Sequence, residues 1–144
     1  MKRGVTLIEV MVVLAIIGIL TAISLPRFSG IIERRLESEA RRIQSDLRMA
    51  RHLAITNGQN YILEISPLTN VYKLYAGSVA PANQVGETRL IKSQITASSD
   101  NDFVFEPLGN AAASSGKLLT LTTGARQYKI YVTVATGRVS IEGQ

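Results

Sequence analysis

The hydrophobic pattern begins with an apolar run close to the start of the chain. Sixteen consecutive apolar or small residues extend from Val10 to Leu25, and Glu9 is the only charged residue among the 21 positions from Val5 to Leu25. A helix of this length spans about 30 Å, which matches the hydrocarbon thickness of a bilayer. The pattern therefore predicts a membrane-spanning helix with a carboxylate near one end.

The residues that flank this run separate three interpretations: a cleaved secretory signal, a plain membrane anchor, and an anchor that later packs against copies of itself. Lys2 and Arg3 precede the run, while Pro26 and Arg27 end it, and no small-residue cleavage site of the secretory kind follows. A plain anchor explains the length and a cytoplasmic N-terminus. It leaves Glu9 unexplained, because an ionisable group at membrane depth costs about 2.5 kcal/mol or more without a partner.

A second helical pattern follows the apolar run. Apolar residues recur at spacings of three and four, which predicts an amphipathic helix with one apolar stripe, namely Ile32, Leu36, Ala40, Ile43, Leu47, Ala50 and Ala54. Residues 27–52 also carry seven arginines against four acids. We interpret them as a solvated face with local ion pairs, and a surface for an anionic partner is the alternative. Asn57-Gly58 is expected to end the helix, because glycine accepts the left-handed conformation found there.

The remainder of the chain has the pattern of a β-rich domain. Short segments rich in β-branched and aromatic residues are separated by Gly, Pro, Asn and Ser clusters, and we predict strands at residues 60–65, 71–76, 88–92, 103–106, 118–123, 128–134 and 138–141. Residues 77–87 and 108–117 are predicted loops, and residues 135–137 a hairpin loop. The predicted fold class is α+β: one long N-terminal helix, transmembrane in its first half and amphipathic in its second, packed against a small antiparallel β-sheet domain.

The N-terminal residues also resemble a known family. Lys2-Arg3-Gly4, the run from Val5 to Val13, Ala15 to Leu20 and Pro26 are similar to the N-terminus of type IV pilins and of the pseudopilins of type II secretion. The resemblance implies that a prepilin peptidase/methyltransferase cuts between Gly4 and Val5 and methylates the new amine of Val5. The usual first mature residue is Phe, so Val5 departs from the pattern.

The same resemblance implies how the chain is organised. Residues 1–4 would be a cytoplasmic leader peptide and residues 5–26 a transmembrane and filament-core helix. Residues 27–57 would continue that helix in amphipathic form, and residues 58–144 would be a periplasmic globular domain packed on it. The expected location is the bacterial inner membrane, with the N-terminus cytoplasmic and the C-terminal domain periplasmic, followed by a periplasmic or surface filament.

Glu9 acquires a role in this interpretation. It lies one helical turn from the amine of Val5, and a neighbouring subunit's amine could pair with its carboxylate and fix the register of a filament. In an ordinary anchor, the alternative, the carboxyl group would snorkel or be protonated. Pro26 is expected to kink the helix near Ala22, and Gly18 to permit close packing or local unwinding.

Motifs in the soluble part favour the minor pseudopilin H group, GspH, which includes FimT-type minor pilins. The residues similar to that group are Ala50-Arg51, Ala54-Ile55, Gly58, residues 105–109 and Gly137-Arg138-Val139. The expected function is that of a minor pseudopilin in a type II secretion pseudopilus. The alternatives are a minor type IV pilin acting in pilus assembly or DNA uptake, a major pilin or pseudopilin, and a monomeric membrane-anchored binding domain.

The expected partners follow from that function. They are other pseudopilins or pilins in a filament, the prepilin peptidase/methyltransferase, inner-membrane lipid before assembly, and the inner-membrane assembly platform. The formal charge of +5, or +3 without Lys2 and Arg3, is moderate. Four basic residues near the C-terminus could nevertheless contact nucleic acid, namely Lys117, Arg126, Lys129 and Arg138. The competing interpretation is that these charges discourage aggregation at strand edges.

Enzymatic chemistry finds little support in the sequence. The chain has no cysteine and a single histidine, His52, and its serines lie in Gly/Ala-rich segments without a nearby base. We therefore predict no catalytic residue, no metal site and no cofactor, and we expect His52 to be a partly exposed helix residue.

Overall fold

The computed structural model describes residues 6–24, 29–92, 95–124 and 126–143. The chain comprises two compact units, residues 1–32 and residues 33–144. The helices are α1, Leu7–Ser24, and α2, Ser29–Asn57. The strands are β1 Tyr61–Ser66, β2 Val71–Ala76, β3 Gln84–Leu90, β4 Thr96–Ser99, β5 Phe103–Phe105, β6 Leu118–Thr123, β7 Arg126–Thr133 and β8 Arg138–Gly143.

Helix α1 includes the predicted apolar run as far as Ser24 and is continuous through Gly18, while Leu25 lies outside the described residues. In its second half, Thr21 Oγ1 donates to the carbonyl oxygens of Ile17 and Gly18 at 2.9 and 3.0 Å. Such bonds satisfy a polar side chain within its own helix. In the described part of the chain, no helix combines the length and the apolarity needed to cross a membrane.

Helix α2 confirms the predicted amphipathic pattern. Six members of the predicted stripe are fully buried: Leu36, Ala40, Ile43, Leu47, Ala50 and Ala54. The seventh, Ile32, has a side chain outside the described part. The helix ends at Asn57, and Gly58 follows with φ of +63°, as expected for the left-handed residue after a helix end.

The strands form two antiparallel sheets of four strands each. The first has the order β3-β2-β1-β5 and the second the order β4-β6-β7-β8. One hydrophobic core joins α2 to strands of both sheets, and its largest side chains include Phe103 and Phe105. The predicted packing of a helix stripe against antiparallel strands is confirmed. The strands form two sheets, whereas the sequence predicted a single small sheet.

Two strands differ from the prediction by more than two residues at a boundary. Strand β3 begins at Gln84 inside a predicted loop, after a short 3-10 helix at Pro81–Asn83, and β4 was not predicted at all. Strand β3 is an edge strand whose mostly exposed, polar side chains carry little hydrophobic signal, and Gly86 adopts a positive φ where the pairing with β2 shifts. Strand β4 buries only the small side chain of Ala97 against the core.

The predicted loop at residues 108–117 is held in place by hydrogen bonds. The amide of Ala111 donates to the Val134 carbonyl oxygen at 2.9 Å, and the amide of Gly116 donates to the Asp102 carbonyl oxygen at 2.7 Å. The buried hydroxyl of Ser115 accepts from the amide of Val104 at 3.0 Å. These bonds place the segment against β5 and the end of β7.

Candidate functional site

The surface of α1 is the first candidate site, because it exposes an apolar face in a single chain. Its large side chains are 48 to 79% exposed: Leu7, Ile8, Val10, Met11, Val12, Val13, Leu14, Ile16, Ile17, Ile19 and Leu20. Exposed apolar surface of this extent marks a site for another apolar environment, whether lipid or protein. Among the described residues of α1, Glu9 is the only charged one.

Glu9 lies in the first turn of α1, at the third helical position. Its backbone N–H donates to the carbonyl oxygen of Thr6 at 3.1 Å and to Thr6 Oγ1 at 3.4 Å, so Thr6 is the N-cap of the helix. The Glu9 side chain is exposed. A carboxylate here is favoured by the positive end of the helix dipole, and it is free to meet a group from another molecule.

Three other predicted site residues fall outside the described part of the chain. These are Gly4 and Val5, which form the predicted cleavage site, and Pro26, which is the predicted kink. Gly18 lies within a regular helix, and a Cβ built at this position would have no heavy atom within 4 Å. The surface around Gly18 is therefore open to close approach by another helix.

The four basic residues predicted as a nucleic-acid surface do not form one patch. Arg126 begins β7, whereas Arg138 pairs with Thr133, the last residue of β7, so the two lie at opposite ends of this strand. The rise per residue of a strand places these ends about 23 Å apart. Arg126 also pairs with Glu33 on α2, with 3.2 Å between Nε and Oε1.

The other two basic residues have different surroundings. Lys129, in the middle of β7, lies opposite Glu142 of β8, so an acidic residue faces it in the sheet. Lys117 is exposed near the Arg138 end, since its carbonyl oxygen accepts from the amide of Val132. Of the four residues, only Lys117 and Arg138 therefore lie at the same end of the second sheet.

An ion cluster on α2 corrects the prediction that the acids of this helix are all solvated. Asp46 is buried, and its carboxylate accepts hydrogen bonds from Tyr72 Oη at 2.6 Å and from Arg89 Nη1. Burial, and secondarily the bond to Asp46, raises the pKa of the Tyr72 hydroxyl well above its usual range. The cluster links α2 to β2 and β3, and it borders a cavity of about 100 Å³ lined partly by Met49.

Glu39 is the second acid that the prediction placed wrongly. Its side chain is 1% exposed, and its carboxylate oxygens lie 3.5 Å from Arg42 Nη1 and 3.8 Å from Lys92 Nζ. Glu37, by contrast, forms an exposed pair with Arg41 at 2.8 Å, which is a local ion pair of the kind that was predicted. The sequence did contain an indication that these acids are buried. Glu39 and Asp46 are seven residues apart and border the apolar stripe, on the wide face that a helix of a globular protein buries.

The three motifs that suggested the subgroup meet at one place. Arg51 Nε donates to the carbonyl oxygen of Gly109 at 2.7 Å. Gly137 has φ of +59°, and a Cβ there would collide with the Gly109 carbonyl oxygen and lie 3.0 Å from Arg51 Nε. A Cβ on Gly109 would lie 2.8 Å from Cδ1 of Ile55. We call this convergence of Arg51, Gly109 and Gly137 the arginine junction.

The single histidine and the acidic side chains are the remaining candidates for catalysis or metal binding. His52 is exposed on α2, where the sequence places it. Within the described ranges, no group of three or more His, Asp or Glu side chains is positioned to hold a metal ion. The features described above are therefore an apolar helix surface, buried ion clusters, and a junction between α2 and two loops.

An apolar helix with one carboxylate near its start, together with a helix stripe covered by two antiparallel sheets, defines a pilin-like subunit. Residues 1–25 match the prokaryotic N-terminal methylation motif, and residues 39–137 match the family of the type II transport protein GspH. The chain therefore belongs to the type IV pilin and pseudopilin family and carries the GspH domain.

Individual relatives agree with this assignment. The chain is 30% identical to a fimbrial protein of Pseudomonas aeruginosa over 82% of its own length and 73% of the relative's. It is 29% identical to the type IV major fimbrial protein FimA of Dichelobacter nodosus, over 85% and 81% of the two chains.

Solved structures share the fold. The minor pseudopilin EpsH from the type 2 secretion system of Vibrio cholerae has a TM-score of 0.62 at 10% identity, covering 75% of this chain and 96% of that one. The type IV minor pilin FimU of Pseudomonas aeruginosa has a TM-score of 0.61 at 14% identity, covering 76% and 90%. The predicted pilin-like α+β fold is confirmed.

Proposed function

We propose that this chain is a minor pseudopilin, a structural subunit of the periplasmic pseudopilus of a type II secretion system. The observation that carries the proposal is the match of residues 39–137 to the GspH family. The fold shared with a minor pseudopilin agrees with it. In this role the protein works by assembly with other pseudopilins rather than by catalysis.

Membrane insertion precedes assembly in this proposal. Residues 5–26 anchor the chain in the inner membrane, and Lys2 and Arg3 keep the N-terminus cytoplasmic while the C-terminal domain is periplasmic. The sequence supports this step, since Glu9 is the only charge between Val5 and Leu25. The inner-membrane assembly platform then extracts the chain from the lipid.

Processing at the N-terminus creates the group that assembly uses. The prepilin peptidase/methyltransferase cuts after Gly4 and methylates the amine of Val5. The match of residues 1–25 to the N-terminal methylation motif supports this step. Residues 1–4 are then the leader, and the mature chain starts at Val5.

Glu9 connects processing to assembly. In an apolar filament core, its carboxylate pairs with the amine of a neighbouring subunit through charge-assisted hydrogen bonds. The pairing sets the axial register, because an unpaired charge in that environment is strongly disfavoured. The exposed position of Glu9 in the first turn of α1 supports this role, and the open surface at Gly18 supports close helix packing.

A second candidate function is that of a FimT-like minor type IV pilin in pilus assembly or DNA uptake. The similarity to FimU and to fimbrial relatives favours it. Nucleic-acid contact would then draw on residues such as Lys117 and Arg138, but the dispersal of the four predicted basic residues gives such contact little support. A major pilin or pseudopilin is a further alternative, supported by the similarity to a major fimbrial protein.

Deletion of the gene in its own host distinguishes these functions. A minor pseudopilin is required for the appearance of type II secretion substrates in the medium, while surface pili and DNA uptake remain intact. A minor pilin gives the reverse result, with normal secretion and lost pili or transformation. Complementation with the unaltered gene is the control in both assays.

A further inference from the structure

A cationic groove lies next to the arginine junction in the second unit. It is an open cavity of about 300 Å³ between α2 and the turn that joins β7 to β8. Arg48, Arg51 and His52 line it from the helix, and Arg138 lines it from the start of β8. We call it the Arg48–Arg138 groove.

The positive charges of this groove have no acidic counterpart in the described residues. No carboxylate side chain lines the cavity. The ion pairs found within the described ranges use other arginines and lysines, namely Arg41, Arg42, Arg89, Lys92 and Arg126. Three guanidinium groups that line one cavity and have no carboxylate partner among the described residues favour binding of an anionic group from another molecule.

Two of the arginines are held in place before any ligand binds. Arg48 Nη2 donates to the carbonyl oxygen of Val139 at 3.3 Å, and Arg51 Nε donates to that of Gly109 at 2.7 Å. Carbonyl oxygens carry no net charge, so these bonds leave the positive charges unbalanced, and each guanidinium group has five N–H donors, of which the bond uses one. A ligand carboxylate would therefore meet donors whose side-chain entropy has already been reduced.

Apolar side chains beside the groove indicate what kind of molecule carries the anion. Ile55 lines the groove and is 48% exposed, and Leu108, which precedes Gly109 in the junction, is 91% exposed. Arginine combined with exposed apolar side chains is typical of protein interfaces. No aromatic side chain lines the groove, so it lacks the stacking platform on which single-stranded nucleic acid binds.

We propose that the Arg48–Arg138 groove binds an Asp or Glu side chain, flanked by an apolar residue, on a neighbouring subunit of the filament. Arg48 and Arg138 supply paired N–H donors to the carboxylate oxygens, and Ile55 and Leu108 cover the apolar residue. The inference rests on the filament role proposed above. It adds to the Glu9 pairing a second, lateral contact made by the globular unit.

Zero-length cross-linking tests this contact in the full chain, in host cells that assemble the filament. The Arg138→Lys variant places an amine in the groove, and a carbodiimide joins it to any carboxylate within contact distance. Mass spectrometry is expected to identify an isopeptide bond from residue 138 to an acidic residue of another filament subunit. Arg41→Lys is the chemical control, because its amine should link to Glu37 within the same chain.

Charge reversal supplies the second measurement. The Arg138→Glu variant should lower the amount of this chain in sheared filaments at least tenfold, whereas Arg41→Glu should lower it less than twofold. The thermal unfolding of both purified variants in detergent should match that of the unaltered chain, which excludes misfolding as the cause.

The possible failures are distinguishable. If the unaltered chain is absent from the filament, the proposed function fails and the groove proposal fails with it. If the unaltered chain is present but position 138 forms no link to another subunit, the groove proposal alone is overturned. It is also overturned if Arg138→Glu leaves incorporation unchanged. Loss of a salt-dependent DNA shift in that variant would then assign the groove to nucleic acid.

Discussion

The hydroxyl group of Tyr72 donates a hydrogen bond of 2.6 Å to Oδ2 of Asp46, across the boundary between a helix and a sheet. Arg89 donates to both oxygens of the same carboxylate. One acid on α2 thus holds two neighbouring strands of the first sheet, including the edge strand β3. The arrangement fixes β3, whose own side chains bury little surface.

Removal of this acid should destabilise the globular unit. Asp46→Ala leaves Tyr72 and Arg89 without their shared acceptor. An unpaired buried hydroxyl such as that of Tyr72 costs about 1 to 3 kcal/mol, whereas Arg89 is partly exposed to water and adds less. Glu37→Ala is the matched control on the same helix, because its exposed pair with Arg41 is worth less than about 1 kcal/mol. Denaturant unfolding of both variants in detergent measures the difference, and equal stabilities would show that the cluster contributes nothing.

The same cluster predicts a pH dependence at the alkaline end. The pKa of Tyr72 is raised in the folded chain above the ordinary value of 10.0. A raised pKa means that the folded state holds the proton more tightly than the unfolded state does, so stability is complete below pH 10 and falls as the pH rises above it. Tyr72→Phe should remove the contribution of this hydroxyl to the loss of folding stability above pH 10. A variant that loses stability as steeply as the unaltered chain would contradict the assignment.

Much of this fold follows from hydrophobic spacing. The stripe from Leu36 to Ala54 predicted which face of α2 is buried, because that face is defined by large and small apolar side chains at helical spacing. Strands β2 and β6 were predicted at their observed bounds for a similar reason. Strands β3 and β4 were not, because backbone pairing with a neighbouring strand defines them and no local pattern reports such pairing.

Gly137 of the arginine junction and Gly58 after α2 both have a positive φ but differ in their surroundings. At Gly58, φ is +63° and a Cβ would meet no atom within 4 Å, so Gly58→Ala should cost about 1 kcal/mol from backbone strain alone. At Gly137, φ is +59° and the Cβ would also collide with the Gly109 carbonyl oxygen. Gly137→Ala should therefore cost about 3 kcal/mol or more, because the turn must move. Equal melting temperatures for the two variants would exclude a tight junction.

The candidate sites were predicted to different degrees. The short motifs around Arg51, Gly109 and Gly137 were recognised as sequence similarities, but their convergence is a tertiary relationship between segments up to 86 positions apart in sequence. The burial of Glu39 and Asp46 was missed because charged residues are usually solvated. Only their spacing of seven residues beside the stripe indicated otherwise.

Incorporation of a Glu9→Ala variant into the filament tests the central claim most directly. The full chain is expressed in its host, leader removal is followed by the shift in gel mobility, and the amount of chain in sheared filaments is compared with that of the unaltered chain and of Glu37→Ala. We expect normal cleavage for all three and loss of incorporation for Glu9→Ala alone, since an apolar core would then contain an amine without its carboxylate. Normal incorporation of Glu9→Ala would contradict the account.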